Sequence, residues 1–174
     1  PAHGFVKVPG EGVLDGASVY IDDKYIGKAP ITSGPILSGT HTVRIIKQLY
    51  AESVSTVVIK DGETVEHRPA LASDFAKVTI QSVSGSEIYV NGQKKGNSPW
   101  TGDLRSGVYT FQARKDGHSP SSISATISPD PPVQLHEIPA PKPVMSTVNL
   151  QSTPSADVYI DNKLMGRTPL STKV

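Results

Sequence analysis

Apolar residues along this chain fall in short alternating runs and never in long stripes. Phe5-Val6-Lys7-Val8, Val19-Tyr20-Ile21, Thr42-Val43-Arg44-Ile45, Val78-Thr79-Ile80, Ile88-Tyr89-Val90 and Val148-Asn149-Leu150 each set every second residue apart from its neighbours. A period of two sends alternate side chains to opposite faces of a strand. Gly, Pro, Asn or Asp closes each run within about ten residues, which marks turns between strands. The predicted elements are therefore short strands and tight turns. No stretch fits a long helix or a membrane-spanning helix, which needs ~20 apolar residues.

The alternation itself recurs. Gly16-Ala17-Ser18-Val19-Tyr20-Ile21-Asp22-Asp23-Lys24-Tyr25-Ile26-Gly27-Lys28-Ala29-Pro30 is matched without gaps by the segments Gly85 to Pro99 and Ser155 to Pro169. Tyr20, Tyr89 and Tyr159 lie 69 and 70 positions apart, and so do the series Gly27, Gly96, Gly166 and Pro30, Pro99, Pro169. Such internal periodicity is the mark of a repeat architecture. Asp22-Asp23, Asn91-Gly92 and Asp161-Asn162 are residue pairs that accept positive φ, as a two-residue hairpin turn requires. The glycine that follows permits a bulge or a left-handed position, and the proline ends pairing.

Flanking strands extend the unit. Thr40 to Ile46 corresponds to Val108 to Arg114, each preceded by Ser-Gly. Val57-Val58-Ile59 corresponds to Ala125-Thr126-Ile127, and the last strand falls at Thr64-Val65-Glu66 or Val133-Gln134-Leu135. The expectation is an all-β chain of tandem small β-sandwich repeats of about 70 residues, each with six or seven short strands and a thin core. The first repeat runs over 1–71 and the second over 75–138. A Pro-rich spacer at 139–143 favours extended geometry, and a partial third repeat occupies 144–174. In that partial repeat Val148-Asn149-Leu150 and Val158-Tyr159-Ile160 are expected to form a hairpin pair, with an apolar face that packs on the second repeat or on another chain. Val19, Ile21, Ile88, Val90, Val158 and Ile160 are the expected core positions.

The repeated string resembles the PEGA domain. Its pattern of a small residue, Ala, a hydrophobic-Tyr-hydrophobic strand, an acidic turn and Gly-basic-Thr-Pro is best kept from Ala156 to Pro169. Ala29 replaces the Thr in the first copy, and Gly96-Asn97-Ser98-Pro99 departs furthest in the second. The resemblance implies a small all-β module in a bacterial or archaeal envelope, periplasmic or on the extracellular surface, where a lipoprotein anchor would be one means of attachment. It brings no catalytic residues.

Composition narrows the function. The 174 residues hold 17 Lys and Arg against 16 Asp and Glu, a formal charge of +1, so nothing draws the chain to nucleic acid. Without Cys there is no disulfide, thiol chemistry or cysteine-ligated zinc. His3, His41, His67, His118 and His136 form no close pair at metal spacing, and no Gly-x-Ser-x-Gly elbow is present. Asp22-Asp23 and Asp161-Asn162 are adjacent turn residues, whereas a calcium loop alternates its ligands and closes with a distant Glu. No cofactor, metal or catalytic site is expected.

One aromatic group invites a second reading. Trp100 follows Pro99 where the other copies carry Ile31 and Leu170, the place of an apolar residue packed on its own unit. With Tyr109 and His118 it forms the candidate ligand-binding set, because aromatic faces stack on sugars. Lys94-Lys95 and Arg114-Lys115 are either a basic patch beside it or a solvated hairpin tip and strand edge. The function expected is a non-enzymatic tandem β-repeat scaffold or protein-interaction module of a bacterial cell envelope, with protein partners or self-association. The alternative is a module binding cell-wall or surface polysaccharide, centred on the second repeat.

Overall fold

A computed structural model describes all residues 1–174. The chain is built of strands and turns, with one short 3-10 turn at Gly12–Leu14 and no α-helix.

The first copy contains β1 (His3–Val8), β2 (Ser18–Ile21), β3 (Lys24–Lys28), β4 (Ile31–Thr32), β5 (Ile36–Leu37), β6 (Gly39–Ile46), β7 (Ser53–Ile59) and β8 (Thr64–Glu66). One sheet has the order β3-β2-β6-β7. In the other, β1 pairs with β4 and β5 antiparallel and with β8 parallel. Alternate residues of both sheets turn inward. Val6 and Val8 of β1 meet Val19, Ile21, Val43, Ile45, Val57 and Ile59 of the opposite sheet, with Leu14, Ala17 and Ala29 completing the core. Each fully buried Val or Ile of this set contributes about 1.5–3 kcal/mol against chain entropy.

The second copy repeats the order with β9 (Phe75–Gln81), β10 (Glu87–Val90), β11 (Gln93–Asn97), β12 (Trp100–Arg105), β13 (Gly107–Arg114), β14 (His118–Ser119), β15 (Ser121–Ile127) and β16 (Val133–Glu137). Its sheets have the orders β11-β10-β13-β15 and β12-β9-β16. Each copy thus has eight strands where the alternation predicts six or seven. In the first copy the additional piece arises because buried Ser33 interrupts the segment between β4 and β5: its Oγ accepts the Val6 N–H at 3.0 Å and donates to the Gly34 carbonyl. By compactness the chain divides into two units, one of Pro1–Thr79, Thr101–Tyr109 and Ser124–His136, the other of Ile80–Trp100, Thr110–Ile123 and Glu137–Val174.

Beyond the second copy lie β17 (Lys142–Pro143), β18 (Thr147–Leu150), β19 (Asp157–Ile160), β20 (Lys163–Arg167) and β21 (Leu170–Lys173). β17 pairs with β14, His118 facing Pro143, and the Val144 N–H bonds the Gly117 carbonyl. The expected hairpin between Val148–Leu150 and Val158–Ile160 does not form. β18 pairs instead with β21 and β19 with β20, since the two-residue turn closes β19 on its immediate successor. Val19, Ile21, Ile88 and Val90 are buried as expected, but Val158 and Ile160 are only half-buried. β2 and β10 each have a second neighbour, β6 and β13, whereas β19 has β20 alone, and Tyr159 is left 62% exposed.

Candidate functional site

The repeated segment folds in the same way three times. The turn residues Asp22 and Asp23, Asn91 and Gly92, and Asp161 and Asn162 have φ between 47° and 78°. Positive φ at both central positions matches the right-handed twist of a hairpin, which is why only Asp, Asn and Gly stand there. A register shift falls before the Tyr of each copy, between Val19/Tyr20, Ile88/Tyr89 and Val158/Tyr159. This β-bulge explains the invariant spacing from Tyr to Gly. Gly27, Gly96 and Gly166 then lie at φ of 141°, 159° and 142°. The peptide bond before Pro30, Pro99 and Pro169 is cis in every copy, and the residue preceding it donates its N–H to Ala17, Ser86 or Ala156.

Above this frame the outward faces differ. In the first copy Arg44 lies opposite Tyr20, its guanidinium 4.5 Å from the ring centre, and reaches both Asp23 and Glu52 at 3.5 Å. In the second the cation is displaced two residues along the strand: Arg114 lies 4.1 Å over the Tyr89 ring, and its Nε donates to Gln112 at 2.6 Å. Arg114 forms no ion pair. Glu87, its partner in the ladder, is hydrogen-bonded by Lys94 and by the Tyr89 hydroxyl, which hold its carboxyl below the usual range, and the charges of Lys94 and Arg114 add to this without an Arg114–Glu87 ion pair.

Beside it lies a cleft of about 890 Å³ in the second copy, lined by Tyr89, Arg114, Lys115, His118, Asn97 and Gly85. Lys115 Nζ donates to the Ser84 carbonyl at 3.2 Å, and His118 Nδ1 donates to the Asp116 carbonyl at 2.7 Å. Of the three aromatic candidates only His118 lies in the cleft. Trp100 is half-buried at the start of β12, with its Cδ1 3.5 Å from the place of a Cβ on Gly96. Tyr109 donates its hydroxyl to the Arg105 carbonyl at 2.9 Å. Arg114 and Lys115, read from sequence as either a basic patch or a solvated strand edge, both line the cleft, whereas Tyr89 is not singled out by sequence as a site residue; Arg114 takes the place of Ile46, a cation on an outward strand end where the other copy is apolar.

Tyr109 has a titratable counterpart. At the equivalent position His41 Nε2 donates to the Leu37 carbonyl at 2.8 Å, and its Nδ1 donates to Asp22 at 2.6 Å, while Asp22 also accepts the Thr42 N–H. A carbonyl and a carboxylate only accept, so the charged ring, with hydrogen on both nitrogens, is the form that satisfies both contacts. The Asp22 carboxylate accordingly raises the His41 pKa above 6.5, and His41 lowers that of Asp22 below 3.8. A raised His value adds stability that is complete below 6.5 and disappears as pH climbs through the folded value; a lowered Asp value adds stability present above 3.8 and lost on acidification. The pair is therefore strongest from pH about 4 to 6.5.

His67 works against it. Burial lowers the His67 pKa, and that contribution fails as pH falls. A comparison that cancels His67 isolates the pair: replacing Asp22 and His41 with Asn and Tyr, as at Asn91 and Tyr109, is expected to cost stability near pH 5.5 and much less near pH 8.5. Denaturant midpoints at the two pH values measure this, and an equal difference at both would refute it.

No group of three or more His, Asp or Glu residues is arranged to hold a metal ion, and no helix is long and apolar enough to cross a membrane. What the hairpins define is a tandem β-repeat module whose copies share one structural motif and carry different outer faces. The PEGA domain model matches residues 13–73 and again 75–137, and the chain belongs to that family. PEGA domains are generally non-catalytic and typically extracellular or periplasmic. Among solved structures the chain is similar to the Bacillus anthracis TIE protein, at 16% identity and a TM-score of 0.41, covering 99% of this chain and 42% of that one. The chain thus spans less than half the length of that structure. No curated protein matches the sequence.

Proposed function

We propose that the chain is a non-enzymatic scaffold or protein-interaction module of a bacterial cell envelope, in which PEGA copies space or join partners. The observation that supports this most directly is the tandem match itself, two family copies joined through 73–75. The inner faces and hairpins of these copies are held alike, whereas the outer faces diverge, as expected of repeats that present different surfaces on one frame. Residues 144–174 continue the same pattern as a partial third copy, with β18 and β21 standing where β1 and β4 stand in the first.

Labelling of intact cells tests the location. An antibody raised against the chain is expected to bind whole cells, or cells stripped only of their outer layer, and a signal seen only after cytoplasmic lysis would overturn the envelope reading. Chemical cross-linking on intact cells should then recover the same protein neighbours with the wild-type chain and with a chain lacking the cleft cations.

A further inference from the structure

We infer that the second-copy cleft is a binding site for an anionic glycan, a polymer of hydroxyl-bearing units with carboxylate or phosphodiester groups. This goes beyond the scaffold reading and stands or falls separately from it. Three observations carry it. Arg114 is fixed by its stacking on Tyr89 and by the bond from Nε to Gln112, yet no carboxylate takes its terminal nitrogens. The equivalent face of the first copy shows the closed alternative, with Arg44 shared between Asp23 and Glu52. A planar guanidinium held in this way offers two parallel donors, the geometry that carboxylate and phosphate accept.

The second observation is the company Arg114 keeps. Lys115 lies beside it with a single carbonyl partner, and His118 lines the same cleft with its Nδ1 already engaged, leaving Nε2 for a ligand. The third is that the lining is mixed. Asn97, Ser98, Glu87 and Asp116 share the cleft with the cations. Glu87 and Asp116 would repel a densely charged peptide or nucleic acid, whereas they accept hydrogen bonds from sugar hydroxyls. A polymer with sparse anions and many hydroxyls satisfies both kinds of group. Tyr89 acts here through Arg114, whose guanidinium covers its ring, and so it positions the cation rather than stacking on sugar.

The test is titration of the full chain, followed by amide NMR and by calorimetry at low and at physiological salt. The probes are oligogalacturonate, its methyl ester, a poly(glycerol phosphate) oligomer and polyglutamate. Oligogalacturonate or poly(glycerol phosphate) is expected to shift amides within 85–120, and the tighter of the two identifies the anion as carboxylate or phosphodiester. The neutral methyl ester should bind at least tenfold more weakly than the acid. Arg114→Gln should weaken binding about tenfold or more, an effect appropriate to one charge-assisted bidentate contact. Arg44→Gln should leave it unchanged. Lys115→Gln, at an independently held side chain, gives a second reading of the cleft if Arg114→Gln perturbs the fold, and should weaken binding several-fold. Polyglutamate binding as tight as the glycans, affinity unchanged from wild type in both the Arg114 and the Lys115 variant, or no shift with either anion would each overturn the assignment.

Discussion

Phe111→Ala is expected to lower the unfolding free energy by about 3–5 kcal/mol, the range for truncation of a buried aromatic residue. Phe111 is fully buried, the largest side chain to be so, and pairs with Val90 across the ladder. Since a domain is stable by about 5–15 kcal/mol in all, such a loss removes much of what holds the second copy together. The first copy shows how the same space is otherwise filled. Where β6 carries Val43 and Ile45, β13 carries Phe111 and Ala113, large beside small in place of two medium residues. Phe111→Val should therefore destabilise by itself, and Ala113→Ile added to it should restore a good part of the loss, because neighbouring substitutions couple through shared volume. Urea denaturation of the three variants measures the coupling. A double variant no better than the single one would show that the two positions do not compensate in this way.

Ser86→Ala is expected to do the opposite and stabilise the chain by about 1–2 kcal/mol. Ser86 is 0% exposed, and its Oγ finds no hydrogen-bond partner. A buried hydroxyl without a partner costs about 1–3 kcal/mol. The other two copies place Ala17 and Ala156 at this position, and the hydrogen bond that matters there comes from the main chain: Ala29, Ser98 and Thr168 each donate an N–H to it. Removing the hydroxyl leaves that bond in place. For a domain of this size each kcal/mol shifts Tm by about 4–8 °C, so thermal unfolding reads the change directly. A Tm that stays the same or falls would mean that the Ser86 hydroxyl has a partner in solution.

The repeat made the hairpins legible from sequence. Asp-Asp, Asn-Gly and Asp-Asn each permit few turn geometries, so the three copies point to the two-residue turn, and the glycine that follows each of them allows a bulge or a left-handed position. Strand pairing between distant segments was less visible. Nothing local says that β8 runs parallel to β1, or that Val148–Leu150 takes Leu170–Lys173 as partner, because register between strands depends on which edges are free once the hairpins have closed. The site was the least legible part. Trp100 and Tyr109 drew notice as rare aromatics, yet one packs beside Gly96 and the other bonds to Arg105. Arg114 carried no motif; its meaning comes from stacking on a Tyr two ladder steps away, and only packing reveals that.

The latch on the fourth carbonyl back is made by a phenol in one copy and by an imidazolium in the other. When copies are covalently strung in series, tension applied at the ends passes through every one of them, and the link that gives way first sets the strength of the whole line. The hold of His41 on Asp22 slackens as the surroundings turn alkaline. The hold of one link in such a line thus varies with the medium through the His41–Asp22 pair, while the fold of each copy stays the same.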